Sequence, residues 1–299
     1  MFLYFTPFTF IFLCVYLLFI FFMLTIQNVY FFWLFIEMSI LLFIGLSYTI
    51  FSNGFTQLML YFLIQTLASF SLLVFYIHGL FYLMYFSFFL KLGMFPFISW
   101  YLNVLFRFPT FILFLSTTLH KLPPLFLFVL LYNSNYATFI FVSVLFSLLV
   151  GGFYMINIID LRYLIIVSSI ANNGFMLISL MSGSLIVFIM FYVIYSLNIF
   201  IIFYLIGMFL KSGLSLSRSD VIDKLIFIVI LLNIAALPPF PMFFAKFFIL
   251  FSYLFEYNSS FFILILLVLT NVGIMVSYCY FFIKYFIQKY SNMSNFLLF

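Results

Sequence analysis

Long apolar runs follow one another along almost the whole chain, and they constrain its fold more than any other feature. A helix needs about 20 apolar residues to cross the hydrocarbon core of a bilayer. Ten such runs stand between short polar or turn-forming breaks, at residues 3–24, 27–50, 55–77, 79–100, 109–132, 136–156, 161–182, 184–210, 223–255 and 260–286. With 5% charged residues and a mean hydropathy of +1.43, the chain is predicted to be an all-α polytopic membrane protein of about ten transmembrane helices, in a single domain over residues 1–299.

Two of these runs contain residues that interrupt helices. The ninth run holds Pro238, Pro239 and Pro241, and proline removes a backbone donor and clashes with the preceding turn. The fourth run holds Gly93 and Pro96 shortly after a lysine. We therefore predict a broken helix in each run. Because the two runs lie five helices apart and cross in opposite directions, they are further predicted to belong to inverted repeats.

Basic residues outside the centres of the runs are distributed asymmetrically. With ten helices, seven of them fall on the side of the membrane that holds the amino terminus: Arg107, Arg162, Lys211, Arg218, Lys224, Lys284 and Lys289. The opposite side carries Glu256 but no lysine or arginine. Lysine and arginine are enriched in loops on the cytoplasmic or matrix side. The asymmetry therefore predicts an even number of helices, with both termini on that side.

Four charged residues lie near the centres of apolar runs, namely Glu37, Lys91, Lys121 and Lys246. A charge at the bilayer centre costs roughly 2.5–3.5 kcal/mol on insertion scales, so such residues are rare and commonly line proton or ion paths. Burial disfavours the charged form, which allows these groups to exchange protons near neutral pH. We take the four as the candidate functional site; for Glu37 the alternative is a packing ion pair. His120, beside Lys121, is either a proton relay or a hydrogen-bonded packing residue.

A polar run stands in the middle of the seventh span, at residues 168–174 with the sequence Ser-Ser-Ile-Ala-Asn-Asn-Gly. Hydroxyls and amides inside a membrane helix can hydrogen-bond to neighbouring helices or order a chain of water molecules. The sequence leaves both interpretations open.

Cofactor motifs are absent from the sequence. Cys14 and Cys279 lie in separate apolar runs without a neighbouring cysteine, so no disulfide, zinc site or iron–sulfur cluster is expected. There is no GxGxxG and no phosphate-binding loop. The net charge of +5 is spread thinly over loops, so nucleic acid is not an expected partner. Any redox or nucleotide chemistry that the chain serves is expected to take place in other proteins.

The composition of the chain is biased towards residue types whose codons are rich in A and T. The chain has 54 Phe and 22 Tyr but only six Ala. The bilayer does not force this choice, because Phe, Leu, Ile and Val serve almost equally well in lipid. The bias indicates a T-rich organelle genome and therefore a mitochondrial protein.

Five stretches resemble the subunit 2 family of mitochondrial NADH:ubiquinone oxidoreductase (respiratory complex I), whose members are antiporter-like subunits of the proton-pumping membrane arm. The stretches lie in the family's order at Trp33–Leu42, Tyr61–Ser69, Leu90–Trp100, Leu161–Gly174 and Leu237–Lys246. One departure falls at Asn172, where the family often has a histidine. A second is that no span is found after residue 286, so the last helix of the usual animal form is expected to be missing.

The resemblance implies roles for the buried charges. Glu37 would be the family's membrane glutamate and Lys91 its partner lysine. Lys121 would be the connecting lysine, and Lys246 the terminal lysine of the second half-channel. A charge pair between Glu37 and Lys91 is expected to be made and broken during turnover.

The resemblance also implies partners. Other membrane-arm subunits and the lipid bilayer would surround the chain, while NADH, FMN, iron–sulfur clusters and ubiquinone would be used by other subunits. A subunit of a cation/proton antiporter is the first alternative function. An integral membrane enzyme is the second, and its candidate site would be Asp220 and Asp223 near Arg218.

Overall fold

Helices make up the regular structure in the part of the chain that the computed structural model describes, which comprises residues 7–51, 54–155, 158, 160–211, 221–257, 265 and 267–280. The helices are α1 (Pro7–Met23), α2 (Val29–Ile50), α3 (Phe55–Ile77), α4 (Phe81–Leu92), α5 (Ile98–Leu105), α6 (Thr110–Thr117), α7 (Leu122–Leu131), α8 (Ala137–Tyr154), α9 (Leu161–Met181), α10 (Leu185–Lys211), α11 (Val221–Ile234), α12 (Pro241–Tyr257) and α13 (Leu267–Tyr280). Those ranges contain no strand, and the prediction of an all-α fold is confirmed.

Every predicted span contains a helix in the structure. Six helical stretches are long and apolar enough to cross a membrane: Val29–Ile50, Phe55–Ile77, Thr110–Leu131, Ser134–Tyr154, Arg162–Met181 and Leu185–Ile206. Shorter apolar helices occupy the other predicted spans. The chain is therefore a polytopic membrane protein. Arg218, Asp220, Lys284, Lys289 and both termini lie outside the described residues, so the positions predicted for them stay predictions.

The long helices divide into lipid-facing and buried faces. On α2 the side chains of Phe31, Leu34, Met38 and Leu41 are exposed at helical spacing, whereas the opposite face is buried. The helix α9 differs, because residues 164–181 are all buried. It packs against α5, α7, α8, α10 and α12. This central position means that the polar run on α9 meets protein rather than lipid.

The two predicted interruptions are confirmed. The first separates α4 from α5: Gly93 has a φ of +68° in the left-handed region, and Pro96 lies in the connection. The second separates α11 from α12, and Pro238 and Pro239 lie between the two helices. Pro241 is the first residue of α12, a position where its missing N–H costs no hydrogen bond.

A third interruption lies between α6 and α7, where the sequence predicts one continuous span. Thr118 leaves helical geometry with φ −117° and ψ −86°, and a 3-10 turn at Leu119–Lys121 leads into α7. Pro123 and Pro124 explain the break, because neither can donate to a carbonyl of the preceding turn. Both prolines are tolerated in the first turn of α7, so the helix resumes there.

Candidate functional site

Each of the three membrane lysines lies at or near a helix interruption and is buried. Lys91 is in the last turn of α4, Lys121 ends the 3-10 turn before α7, and Lys246 is five residues after Pro241 in α12. Their side chains are 4%, 4% and 1% exposed. Backbone that leaves a helix at membrane depth is tolerated only where protein or a water-filled cavity covers it. Each interruption is therefore covered by protein, and the three lysine side chains lie inside it.

Glu37 faces α3 from α2. Its Oε1 accepts a hydrogen bond from the Ser69 hydroxyl, and the carboxylate is only partly buried. The Ser69 carbonyl in turn accepts from Trp33 Nε1 at 2.9 Å. This bond joins α2 to α3, and Trp33 lies one turn before the glutamate on α2. Glu37 thus has a neutral partner, Ser69, that the sequence did not assign to it.

Lys91 has no hydrogen-bond partner for its buried Nζ among the described residues. No hydrogen bond joins Lys91 to Glu37 in this structure, and the charge pair expected between them, with its making and breaking during turnover, stays a prediction. The backbone of Lys91 is held, because its carbonyl accepts from Gln65 Nε2 at 3.0 Å. A cation in the last turn of a helix also interacts favourably with the negative end of the helix dipole.

Lys121 contacts the polar run of α9. Its Nζ donates to Asn173 Oδ1 at 2.9 Å and to the Ser169 carbonyl at 3.2 Å. The same Nζ lies 5.2 Å from the centroid of the Tyr101 ring, within the range of a cation–π interaction. The run therefore supplies direct protein partners for a buried lysine. Asn172, the position of the family's histidine, is also buried.

His120 lies in an aromatic enclosure. Its Nδ1 and the Tyr16 hydroxyl are 3.1 Å apart, and its ring centroid is 4.7 Å from that of Phe43 and 5.8 Å from that of Tyr61. A hydrogen bond and close aromatic rings of this kind are the surroundings expected of a histidine that has a packing role. The relay role of His120 stays a prediction.

Lys246 has a partner that the sequence did not reveal. Its Nζ donates to Asn271 Oδ1 on α13 at 2.9 Å and lies 5.0 Å from the centroid of the Phe175 ring. Asn271 carries the only side-chain amide in the apolar run at residues 260–286, and an amide at membrane depth needs a hydrogen-bond partner. That rule is the signal by which Asn271 could have been found, although it does not say which helix supplies the partner.

A pair of asparagines braces the interruption before Lys246. Asn233 Nδ2 on α11 donates to Asn198 Oδ1 on α10 at 2.8 Å, and Asn233 Oδ1 accepts from the backbone N–H of Met242 at 3.1 Å. The second bond satisfies one of the donors left free at the start of α12. The two bonds tie α10, α11 and α12 together at the break.

Comparison with known proteins identifies related sequences. Residues 2–273 match the model of a family described as "NADH:quinone oxidoreductase/Mrp antiporter, TM". The chain is 31% identical to NADH-ubiquinone oxidoreductase chain 2 of Paracentrotus lividus over 140 residues, which cover 45% of this chain and 39% of the relative. It is 28% identical to the protein of the same name from Anopheles gambiae over 186 residues, which cover 60% and 53%. The matches thus span about half or less of the length of these relatives.

Solved structures share the fold. A chain of respiratory complex I from Thermus thermophilus with bound aureothin superposes with a TM-score of 0.71 at 19% identity, over 86% of this chain and 65% of that one. A chain of the Mrp complex from Dietzia sp. superposes with a TM-score of 0.72 at 15% identity, over 85% and 56%. The two scores are nearly equal, so the fold alone does not separate these two kinds of assembly.

Proposed function

Because the chain belongs to the NADH:quinone oxidoreductase/Mrp antiporter family, we propose that it is a proton-translocating core subunit in the membrane arm of respiratory NADH:ubiquinone oxidoreductase. The observation that carries this proposal is the burial of Lys91, Lys121 and Lys246 at interruptions of otherwise apolar helices. Ionisable groups inside a membrane protein are costly and mark ion or proton pathways.

The proposed mechanism moves a counter-charge past a lysine. Lys91 Nζ has no hydrogen-bond partner among the described residues, so it is free to interact with Glu37 in another state. A carboxylate that approaches and then leaves Lys91 alternately strengthens and weakens the hold of the amine on its proton. Lys121 and Lys246 would pass the proton on, each from a site where an asparagine amide oxygen accepts from the ammonium group.

The proposed setting is the mitochondrial inner membrane, with both termini on the matrix side and other membrane-arm subunits as neighbours. The chain would contribute to the NADH:ubiquinone reductase reaction as a subunit. Other subunits would hold FMN and the iron–sulfur clusters and would use NADH and ubiquinone. The names of the two curated relatives support the assignment of the chain to this oxidoreductase.

A subunit of a cation/proton antiporter is the second candidate. The superposition on the Mrp complex favours it, since a similar fold occurs in that assembly as well. The sequence relatives point the other way, because both are oxidoreductase subunits.

Purification of the native assembly distinguishes these two candidates. We expect the chain to purify from detergent-solubilised membranes in a complex that contains flavin and iron–sulfur subunits and oxidises NADH. Mass spectrometry and flavin fluorescence identify those components. Recovery in an assembly without flavin, composed only of antiporter subunits, would contradict the proposal.

The predicted topology can be tested separately by thiol labelling. Arg107 follows α5 and Asn135 precedes α8, and both residues are exposed. We expect Arg107→Cys to react with a membrane-impermeant maleimide from the matrix side and Asn135→Cys from the opposite side, because one crossing separates them. The unmodified chain, with Cys14 and Cys279 inside apolar helices, provides the background. Labelling of both variants from the same side would refute the topology.

A further inference from the structure

The end of α4 carries backbone carbonyls that no helical N–H can reach. The last carbonyls of any helix lack partners within the helix, and at membrane depth they must find partners in the protein. Here the Leu90 carbonyl accepts from the Gly93 N–H, and the Phe89 carbonyl accepts from the Met94 N–H. The carbonyls of Lys91 and Leu92 remain, and they belong to the candidate proton site itself.

Two side-chain amides from different helices fill these positions. Gln65 Nε2 on α3 donates to the Lys91 carbonyl at 3.0 Å, and Asn173 Nδ2 on α9 donates to the Leu92 carbonyl at 3.3 Å. Gln65 is 2% exposed and Asn173 is fully buried. Buried amides are costly unless they are hydrogen-bonded. These two bonds join the end of α4 to α3 and to α9.

Each amide also belongs to the surroundings of another charged residue. Gln65 lies one turn before Ser69, whose hydroxyl donates to Glu37. Asn173 Oδ1 accepts from Lys121 Nζ while its Nδ2 holds the Leu92 carbonyl. The broken end of α4 is thus connected by hydrogen bonds through Asn173 to Lys121, and through Gln65 to the helix α3, which carries the partner of Glu37 one turn further on.

We propose that Gln65 and Asn173, hereafter the amide clamp, are positioning residues that keep Lys91 within reach of both Glu37 and Lys121 during proton transfer. This inference rests on the function proposed above. Neither residue carries the proton. An amide is suited to the task because it offers a donor and an acceptor and keeps the same charge throughout turnover. A carboxylate at either position would place a negative oxygen against a carbonyl oxygen.

Unused hydrogen-bonding capacity at the clamp supports a moving lysine. Gln65 Oε1 and Lys91 Nζ are both buried, and neither has a hydrogen-bond partner among the described residues. One is an acceptor and the other a donor, and both belong to residues joined at the same helix end. Buried polar atoms that lack partners are uncommon and call for an explanation. In our proposal this unused donor and acceptor allow the Lys91 side chain to rearrange while its backbone stays fixed.

The test uses variants of the intact respiratory complex in its own membrane. Gln65→Leu and Asn173→Leu remove the amides, and we expect each to lower the turnover of assembled complex by about 5- to 20-fold. The KM values for NADH and quinone should not change, because the substrates bind elsewhere. Thr66→Val and Ser179→Ala are matched controls, since these hydroxyls donate only to carbonyls of their own helices. Both controls should keep near-normal turnover.

Double variants separate positioning from folding. If Gln65 acts through Lys91, adding Gln65→Leu to Lys91→Met should cause no further loss of turnover, whereas a general loss of stability should lower the turnover further. Should the leucine variants fail to assemble, Gln65→Glu and Asn173→Asp keep the side-chain volume and replace the amide donor. Low turnover of these assembled variants supports the clamp, and full turnover overturns it.

The Lys91→Met variant shows which of the two proposals fails. If Lys91→Met is defective while Gln65→Leu and Asn173→Leu behave like their controls, the amide clamp is wrong and the proposed function stands. If Lys91→Met itself pumps normally, the proposed function is wrong and the clamp falls with it.

Discussion

Lys91→Met should lower proton pumping and coupled quinone reduction together by on the order of tenfold or more, while the complex still assembles. Methionine keeps most of the length and apolar character of the lysine stem but has no proton to exchange. Because Lys91 Nζ has no hydrogen-bond partner among the described residues, its removal breaks no structural bond that would explain a loss by misfolding. NADH-driven quinone reduction and acidification should be measured on the same membrane vesicles.

Arg107→Gln is the control for this variant. It also removes one positive charge, but from an exposed residue that follows α5 rather than from the buried end of α4. Surface substitutions of this kind usually change stability by less than about 0.5 kcal/mol. Turnover of Arg107→Gln should therefore stay close to that of the unmodified complex. An equal loss in both variants would show that net charge, not a buried proton site, is responsible.

Glu37→Gln addresses the other member of the predicted pair. Glutamine keeps the size of the side chain and an oxygen that can accept from the Ser69 hydroxyl, so the contact between α2 and α3 is retained. The substitution removes the negative charge that is expected to approach Lys91. We expect pumping and coupled turnover to fall together in assembled complex. Normal assembly with full, tightly coupled turnover would make Glu37 a packing residue and would refute the mechanism.

Much of the fold could be predicted because the signals are local in sequence. A run of apolar residues reports a membrane helix wherever it occurs, and Gly93, Pro96 and the prolines after Leu237 report breaks at their own positions. The third interruption was missed for a physical reason. Pro123 and Pro124 also suit the first turn of a new helix, and the residues before them contain no glycine to mark the end of the old one.

The candidate site was only partly predictable. The charges of Lys91, Lys121 and Lys246 stand out against an apolar background, so composition alone singles them out. Their partners do not stand out, because Asn173 and Asn271 become relevant only through the packing of α9 and α13 against other helices. A hydrogen bond between residues 52 positions apart, as for Lys121 and Asn173, leaves no pattern in a single sequence.

Gly93→Ala should prevent normal assembly of the subunit, because the glycine meets two requirements at once. Its φ of +68° is a conformation that costs an L-residue about 1–2 kcal/mol. In addition, an added Cβ would lie 2.4 Å from Cγ and 2.6 Å from Cβ of Tyr101, well inside contact distance. Tyr101 is buried and lies beside Lys121, so it cannot move without disturbing the site. The amount of assembled complex, measured on native gels, should fall by roughly tenfold or more.

Gly79→Ala separates these two contributions. Gly79 also has a φ of +68°, but nothing lies within 4 Å of the Cβ that alanine would add. This variant therefore carries the backbone strain without the collision, and its assembly should be reduced only mildly. If Gly93→Ala assembled as well as Gly79→Ala, the result would contradict the close contact between Tyr101 and Gly93 at the end of α4. The end of α4 would then have room to adjust, and Lys91 would be less firmly positioned than the structure indicates.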